Sequence, residues 1–252
     1  MRAGARQRAV LATTLFLACL GRAVPALAAE DAFLPPFTAR YTLNMGALKI
    51  GETRVTLSTP GAGRYFYQSF TRPAGFMAWF KSGGIVEQSA GTYAGADLRP
   101  QIYFYRRSAG GDDRNVSVAF DWAHRSVTNT LDGRSWHMAI PPGTVDKLIT
   151  QIALMLDLRK RRGFLSFPVA DGGTLKTYRY SVEGEKRVTT PAGTFYALKV
   201  KRVRDPDRRA TYFWCAPGLD YLPVRVDQLE KGSLFHMVLD SVEGLPAKHR
   251  RQ

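Results

Sequence analysis

Along most of the chain, hydrophobic and polar residues alternate with a period of two. Val116, Val118 and Phe120 occupy every second position of one segment, and polar or small residues lie between them. Because successive side chains of a β-strand point to opposite faces, this pattern is typical of half-buried antiparallel strands. It predicts strands at 37–45, 48–58, 64–71, 84–95, 101–108, 114–122, 125–131, 134–140, 174–182, 185–190, 194–204, 209–215, 222–229 and 233–241.

Short motifs rich in glycine, proline and aspartate separate these segments. Asp132-Gly133 lies between two predicted strands, and Glu183-Gly184 lies between a later pair. Glycine and aspartate favour the backbone angles that tight turns need. Their regular spacing predicts a succession of hairpins.

One segment follows a helical period instead. Over 145–160 the apolar residues recur at intervals of three and four, as at Ile152 and Met155. This spacing predicts a helix over 145–160, with Thr144 as its N-terminal cap and Gly163 as its stop. Additional apolar residues widen the hydrophobic face, which predicts a helix buried on more than one side.

These elements predict a mainly β fold, with a single domain over 29–243 and a basic tail at 244–252. The expected architecture is a strongly curved antiparallel sheet, or a partly open barrel, wrapped round the helix near 145–160. A single closed barrel with an external helix is the competing architecture.

The first 28 residues have the three parts of a secretory signal peptide. Three arginines occur within the first eight residues, a mostly apolar stretch follows, and residues 26–28 form a small-x-small cleavage site. We therefore expect cleavage after Ala28 and export to the periplasm. Lipid anchoring at Cys19 is the alternative, although the residues before it match a lipoprotein signal poorly. No later apolar run approaches the roughly 18 residues of a transmembrane helix.

Charge adds a further constraint. The chain carries 36 Lys and Arg against 21 Asp and Glu, a net charge of +15, which alone would suggest nucleic acid as a partner. Loss of the signal peptide removes four arginines and no acids, which leaves +11.

An exported protein rarely meets nucleic acid, so we do not expect that partner. The polyanions of the envelope, which are lipid headgroups, glycolipids and acidic polysaccharides, are the candidate partners, with peripheral membrane contact by a monomer. The alternative is a dispersed, solvated basic surface without such a partner. A compact basic cluster is the candidate contact. It consists of Arg159, Lys160, Arg161 and Arg162.

The sequence carries no recognised catalytic signature. It lacks the nucleophile-elbow, zinc-protease, phosphate-loop and dinucleotide motifs. His137 and His236 lie in predicted strands and could converge, but the absence of metal-site spacing favours two ordinary strand histidines. Without Cys19, Cys215 is the single thiol, and we expect it to be buried and inert. We expect no catalytic residue, metal or cofactor.

Several short motifs occur in an order that resembles one family. They are Phe37-Thr38-Ala39-Arg40-Tyr41, Gly46 and Gly51, the helix at 145–158, Val188-Thr189-Thr190-Pro191-Ala192-Gly193-Thr194-Phe195, Tyr212-Phe213-Trp214, and Leu222-Pro223-Val224-Arg225. Together they resemble the domain-of-unknown-function family 3108, exported proteins of Gram-negative bacteria, over roughly 37–243. The resemblance implies an envelope location and a mostly β fold, and it brings no catalytic residues.

The leading functional hypothesis is a non-enzymatic binding or carrier protein for an apolar or amphipathic envelope ligand. A curved sheet around a helix can leave an apolar groove, and the aromatic supply exceeds what one helix and one sheet need. The candidate lining residues are Phe76, Trp79 and Phe80, in a predicted short helical turn with Met77, and Tyr103, Tyr105, Tyr212 and Trp214.

Two other functions stay open. One is an envelope assembly or scaffolding factor whose basic cluster contacts an anionic membrane or polysaccharide. The other is a glycan hydrolase, because the two carboxylates of such an enzyme meet in space rather than in sequence. The candidate carboxylates are Glu52, Glu87, Asp121, Glu183 and Glu185.

Overall fold

The computed structural model describes residues 33–75, 78, 83–108, 113–160, 163–203, 209–230 and 232–245. The first eight strands are β1 (Phe37–Met45), β2 (Leu48–Gly61), β3 (Arg64–Pro73), β4 (Gly84–Ala94), β5 (Asp97–Ser108), β6 (Arg114–Asp121), β7 (Ser126–Leu131) and β8 (Arg134–Ala139). The later elements are β9 (Val145–Asp146), α1 (Thr150–Lys160), β10 (Phe164–Asp171), β11 (Thr174–Thr190), β12 (Gly193–Val203), β13 (Arg209–Ala216), a 3-10 turn (Pro217–Leu219), β14 (Leu222–Glu230) and β15 (Ser233–Glu243).

All these strands belong to one sheet. Its order is β8-β7-β6-β5-β4-β3-β2-β1-β15-β14-β13-β12-β11-β10-β9. Pairing of β1 with β15 joins the beginning and the end of the described chain. Neighbours along the sheet are antiparallel except for β9, which runs parallel to β10. The fold is therefore two meanders that extend in opposite directions from the β1–β15 pair.

Each strand turns one side toward a buried core, and this side of the sheet is termed the inner face. Tyr41, Leu57 and Tyr67 lie on it and are at most 1% exposed. Residues that lie opposite each other in an antiparallel pair share a face. The register therefore allows the inner face to be followed from strand to strand.

The helix α1 belongs to the same buried cluster as the strands. Seven of its 11 residues are buried, and Ile152 and Met155 have no exposed surface. This burial fits a helix that packs on more than one side. Among the described residues, no helix has the length and apolarity needed to cross a membrane.

The mainly β class and the curved antiparallel sheet are confirmed, and the closed barrel is wrong. In the described chain, no ladder joins β8 to β9, so the sheet has two free edges. That the sheet wraps round the helix stays a prediction, and so do the domain limits. The signal peptide and most of the basic tail lie outside the described residues.

The predicted start of the helix is wrong by several residues. The helix begins at Thr150, because the backbone of Val145 and Asp146 is used in pairing with β10. Thr144 is not the cap, since its hydroxyl donates to the carbonyl oxygen of Pro141 at 2.7 Å.

Strand β10 was absent from the predicted elements. Its proline, Pro168, would remove a ladder hydrogen bond from a central strand. On one side Pro168 faces Thr177 of β11, whereas on the other side β9 pairs only with Val169 and Ala170. Proline is tolerated here because β10 is almost an edge strand.

The predicted hairpin at Glu183-Gly184 is also wrong. Strand β11 continues through it, and the register with β12 shifts between Val182 and Gly184. Gly184 has a φ of 125°, which a residue with a side chain rarely adopts. The glycine marks a β-bulge inside one long strand.

Candidate functional site

An apolar groove of about 440 Å³ opens on the inner face, near the ends of β1 to β5 and β15. Apolar side chains form most of its wall. They are Leu43, Met45, Ile50, Pro73, Ile85 and Phe235. Roughly 300–1,000 Å³ is typical of small-molecule pockets, so the groove has the volume of a ligand site.

The pairing of the strands places residues from both ends of the chain side by side in the groove. Met45 of β1 lies opposite Phe235 of β15, and Thr71 of β3 lies opposite Ile85 of β4. The alternation along each strand aims these side chains to the same face. Gly84 also lines the groove. A Cβ atom there would lie 2.7 Å from the carbonyl oxygen of Thr71, so this position has no room for a side chain.

Two arginines line the apolar groove, Arg72 and Arg107. The Arg72 guanidinium donates to Glu52 Oε2 from Nε at 3.2 Å and from Nη2 at 2.8 Å. Lys49 Nζ donates to the other oxygen of Glu52 at 2.8 Å. These side-chain hydrogen bonds from Lys49 and Arg72 lower the pKa of Glu52. The groove is therefore apolar with a charged margin.

A second, polar cavity of about 210 Å³ lies beside the groove. The cavity lies between two parts of the chain. On one side are β5 and β6, and on the other are Lys147, just after β9, and Asp171 and Gly172, at the end of β10. Its lining residues are Tyr103, Tyr105, Arg107, Arg114, Val116, Lys147, Asp171 and Gly172. Three of these side chains carry a positive charge and one carries a negative charge.

The single carboxylate of this lining is already engaged. Asp171 Oδ2 accepts hydrogen bonds from Lys176 Nζ at 2.8 Å and from the Tyr178 hydroxyl at 2.6 Å. Burial raises the pKa of Asp171, but the hydrogen bonds from Lys176 and Tyr178 outweigh it, so the net shift is downward. Asp171 is therefore ionised at neutral pH.

Lys147 projects into the polar cavity from the segment between β9 and α1. Its Nζ donates to Glu87 Oε1 at 3.1 Å and lies 5.4 Å from the ring centroid of Tyr105. The Tyr103 hydroxyl donates to the same Glu87 oxygen at 2.7 Å. Glu87 thus holds both a cation and a phenol at the wall of the polar cavity.

A buried carboxyl group lies behind this wall. Asp146 Oδ2 accepts a 2.5 Å hydrogen bond from Ser89 Oγ. Asp146 Oδ1 accepts hydrogen bonds of 2.9 Å from the backbone N–H groups of Leu148 and Ile149. Burial raises the pKa of Asp146 to about 7, although these hydrogen bonds oppose the shift. The carboxyl group thus holds the backbone that leads into α1, and it is buried from solvent.

The predicted lining residues separate into two groups. Tyr103 and Tyr105 line the polar cavity. Tyr212 and Trp214 lie on the opposite, outer face of the sheet, since Cys215 beside them is fully buried. The structure therefore does not bring the four aromatic residues into one site. Phe76, Met77, Trp79 and Phe80 lie outside the described residues.

Cations already cover the outer-face pair. Lys199 Nζ lies 4.2 Å from the ring centroid of Tyr212, and the Arg225 guanidinium carbon lies 5.3 Å from that of Trp214. Such contacts stabilise a solvated sheet surface by about 0.5–1 kcal/mol each.

The predicted basic cluster is only partly described. Arg159 Nη2 lies 3.2 Å from Asp220 Oδ1, and the two side chains are only 11% and 6% exposed. Arg159 thus pairs with the residue that follows the 3-10 turn, and its side chain is mostly shielded from solvent. Lys160 is exposed, and Arg161 and Arg162 lie outside the described residues.

The residues weighed for catalysis remain apart. His137 and His236 both lie on the outer face, on β8 and β15, with seven strands between them. Burial raises the pKa of the Cys215 thiol well above its usual range, which disfavours a reactive thiolate. Among the described residues, no three His, Cys, Asp or Glu side chains are grouped to hold a metal ion.

The candidate carboxylates lie on four strands, and four of the five pair with a basic side chain. Glu52 pairs with Lys49 and Arg72, Glu87 with Lys147, Asp121 with His124, and Glu183 with Lys199. Glu185 is exposed on β11. Of the five, Glu87 contacts two residues that line the polar cavity, Tyr103 and Lys147.

Sequence reasoning predicted an apolar groove but missed the residues that line it, and it did not single out Arg107 and Arg114 as site residues. Arg107 was detectable, because it follows Tyr103 and Tyr105 at intervals of two and must share their face. The groove lining had no local signal, since Met45 and Phe235 meet only through the β1–β15 pairing.

Comparisons with known proteins agree with this fold. A family model described as a protein of unknown function, DUF3108, matches residues 40–240. No curated protein matches the sequence. A beta-barrel-like protein of the DUF1849 family from Brucella abortus has a TM-score of 0.57 and 9% identity, over 84% of this chain and 98% of that chain.

Two further solved structures align at lower similarity. A candidate lipoprotein from Parabacteroides distasonis has a TM-score of 0.36 and 10% identity, over 85% of this chain and 98% of that one. A candidate exported protein with a YmcC-like fold from Bacteroides fragilis has a TM-score of 0.33 and 13% identity, over 84% of this chain and 99% of that one.

Proposed function

This chain belongs to the DUF3108 family, and we propose that it is an exported, non-enzymatic protein that binds the acyl part of an apolar or amphipathic envelope ligand. The export half of the proposal is supported by the positive start, apolar stretch and small-x-small site of residues 1–28. The binding half is supported by the apolar groove on the inner face.

The apolar groove carries the proposal. Its volume of about 440 Å³ lies within the roughly 300–1,000 Å³ of ligand pockets. Leu43, Ile85 and Phe235 present hydrocarbon to this space, and burying an acyl chain against them releases about 25 cal/mol per Å² of apolar surface.

Binding of an uncharged single-chain lipid tests this proposal. Mature protein stripped of co-purified lipid is titrated with monoolein below its aggregation concentration, and native mass spectrometry counts the bound molecules. We expect one monoolein per chain. A protein that takes up no monoolein or other acyl ligand contradicts the proposal.

A pair of adjacent substitutions locates the binding. Ile85→Gln places an amide in the apolar groove, and we expect monoolein to bind roughly tenfold more weakly, since burying such a side chain contributes about 1.5–3 kcal/mol. Val86→Gln makes a comparable change on the outer face of the same strand and serves as the control. Equal losses in the two variants would place the ligand elsewhere.

A further inference from the structure

The apolar groove and the polar cavity share one residue. Arg107 lines both of them. In the register of the sheet, Arg107 lies opposite Ile85 of β4 on one side and opposite Arg114 of β6 on the other. Because directly opposed residues share a face, this row crosses from the hydrocarbon wall of the groove to the charged wall of the cavity.

The apolar groove is larger than the polar cavity, as the acyl chain of a single-chain amphiphile is larger than a small headgroup. The groove, of about 440 Å³, has room for a ligand chain. The polar cavity, of about 210 Å³, is smaller than the roughly 300–1,000 Å³ of pockets that hold whole ligands. It has room for a headgroup.

The polar cavity also has the donors that an anion needs. Arg107 and Arg114 present guanidinium groups, which bind carboxylate and phosphate oxygens through paired N–H donors. Tyr105 and Lys147 lie on the same lining, and Lys147 Nζ also donates to Glu87. Asp171, the carboxylate of the lining, already accepts hydrogen bonds from Lys176 and Tyr178.

We propose that the apolar groove and the polar cavity form one site for a single-chain anionic amphiphile. The acyl chain lies in the groove, and a carboxylate or phosphate monoester head lies against Arg107 and Arg114. This inference rests on the proposed function, because it requires the groove to hold an acyl chain. It adds the charge of the ligand and the residues that select it.

Three probes with the same 18-carbon chain separate the two proposals: uncharged monoolein, oleate and 1-oleoyl-lysophosphatidate. Affinities are measured by calorimetry with the lipid-free mature protein below the aggregation concentration of each probe. We expect the better anionic probe to bind at least about tenfold more tightly than monoolein, since a hydrogen bond to a charged group contributes about 1.5–3 kcal/mol. The preference between oleate and lysophosphatidate identifies a carboxylate or a phosphate head.

Neighbouring arginines on β5 provide the matched variants. Arg107→Gln removes a cation from the inner face, whereas Arg106→Gln removes one from the exposed outer face. We expect Arg107→Gln to abolish the preference for the anionic probe while monoolein still binds, and Arg106→Gln to preserve it. Arg114→Gln, at the exposed margin of the polar cavity, repeats the test if thermal melting shows that Arg107→Gln does not fold.

The outcomes are distinct. If all three probes bind with equal affinity, or if Arg106→Gln costs as much as the inner-face variants, the anionic headgroup site is overturned and the acyl-binding function stands. If no probe binds, the proposed function itself fails.

Discussion

Asp146 has no exposed surface, yet its carboxyl group accepts three hydrogen bonds, from Ser89 and from the backbone of Leu148 and Ile149. Withdrawal from water favours the protonated form of a carboxyl group, whereas accepted hydrogen bonds favour the ionised form. Burial prevails here and raises the pKa of Asp146 to about 7. Folding and proton binding are consequently coupled at this residue.

The sign of the coupling follows from the two states. An unfolded Asp ionises near pH 4, whereas folded Asp146 retains its proton until about pH 7. Between these values the folded state binds more protons, so the contribution of Asp146 to the free energy of unfolding falls as pH rises. One pKa unit corresponds to about 1.4 kcal/mol, so the loss is on the order of a few kcal/mol.

Replacement of Asp146 by Asn removes this proton and keeps an oxygen that can accept from the start of α1. We expect the stability difference between Asp146→Asn and the parent protein to change in favour of the variant from pH 4 to pH 7, then to level off. Urea unfolding at several pH values measures it. Asp132→Asn is the control, because Asp132 also accepts a backbone N–H, from Asn115, but at an exposed turn. Parallel pH curves for Asp146→Asn and the parent would show that Asp146 does not titrate in this way.

At the scale of elements, alternation in the sequence located most strands with one buried and one solvated side, although β10 has the same pattern and was not predicted. The predicted 114–122 and the observed β6, Arg114–Asp121, differ by one residue for this reason. Tertiary pairing decided the exceptions. Val145 and Asp146 have a helical pattern around them but pair with β10, and Gly184 is a turn residue that forms a bulge instead. A local sequence pattern does not determine which remote strand a segment will pair with.

Close contact between β4 and β5 depends on Gly91. The register of the pair shifts between Ala90 and Gly91. A Cβ atom on Gly91 would overlap the carbonyl oxygen of Arg99 and lie 2.8 Å from Pro100 Cα and 2.9 Å from the Tyr65 hydroxyl. Backbone atoms cannot yield as a side-chain tip can, so the strands themselves would have to separate.

Gly91→Ala should therefore destabilise the protein by about 1–3 kcal/mol, the usual cost of overpacking. The control is Gly61→Ala on β2, where the nearest atom to the new Cβ is Arg64 Cδ at 3.8 Å. Urea midpoints with unchanged slopes give the comparison. If both variants unfold at the same denaturant concentration, the close approach at Gly91 does not limit β4–β5 packing.

At the scale of the whole molecule, the bending of the sheet brings remote segments into one site. The polar cavity joins Arg114 and Val116 of β6 to Lys147 and Asp171, which lie near the other edge of the sheet. The sequence could predict the face on which Arg114 and Val116 lie, through alternation within β6, but not that of Lys147, which lies outside the strands, or of Asp171 on the unpredicted β10. It could not predict that the two regions face each other, because that depends on the accumulated curvature of 15 strands.

One contact holds these regions together near the polar cavity. Trp136 of β8 donates from Nε1 to the carbonyl oxygen of Gly173 at 3.1 Å, in the turn between β10 and β11. Its ring lies so close to Gly173 that a Cβ atom there would overlap Trp136 Cζ2. Gly173 also has a φ of 81°, so it combines a left-handed backbone with a contact that excludes a side chain.

The effect of this contact can be separated from that of the backbone angle. Gly173→Ala and Gly133→Ala both place alanine at a similar positive φ, 81° and 87°, which costs about 1–2 kcal/mol in each case. Only at Gly173 must the Trp136 ring also move, because nothing lies within 4 Å of a Cβ on Gly133. We expect Gly173→Ala to be the less stable variant and to show faster amide hydrogen exchange in the β10–β11 turn. Equal stability and equal exchange would mean that the Trp136 contact does not hold β8 to the β10–β11 turn.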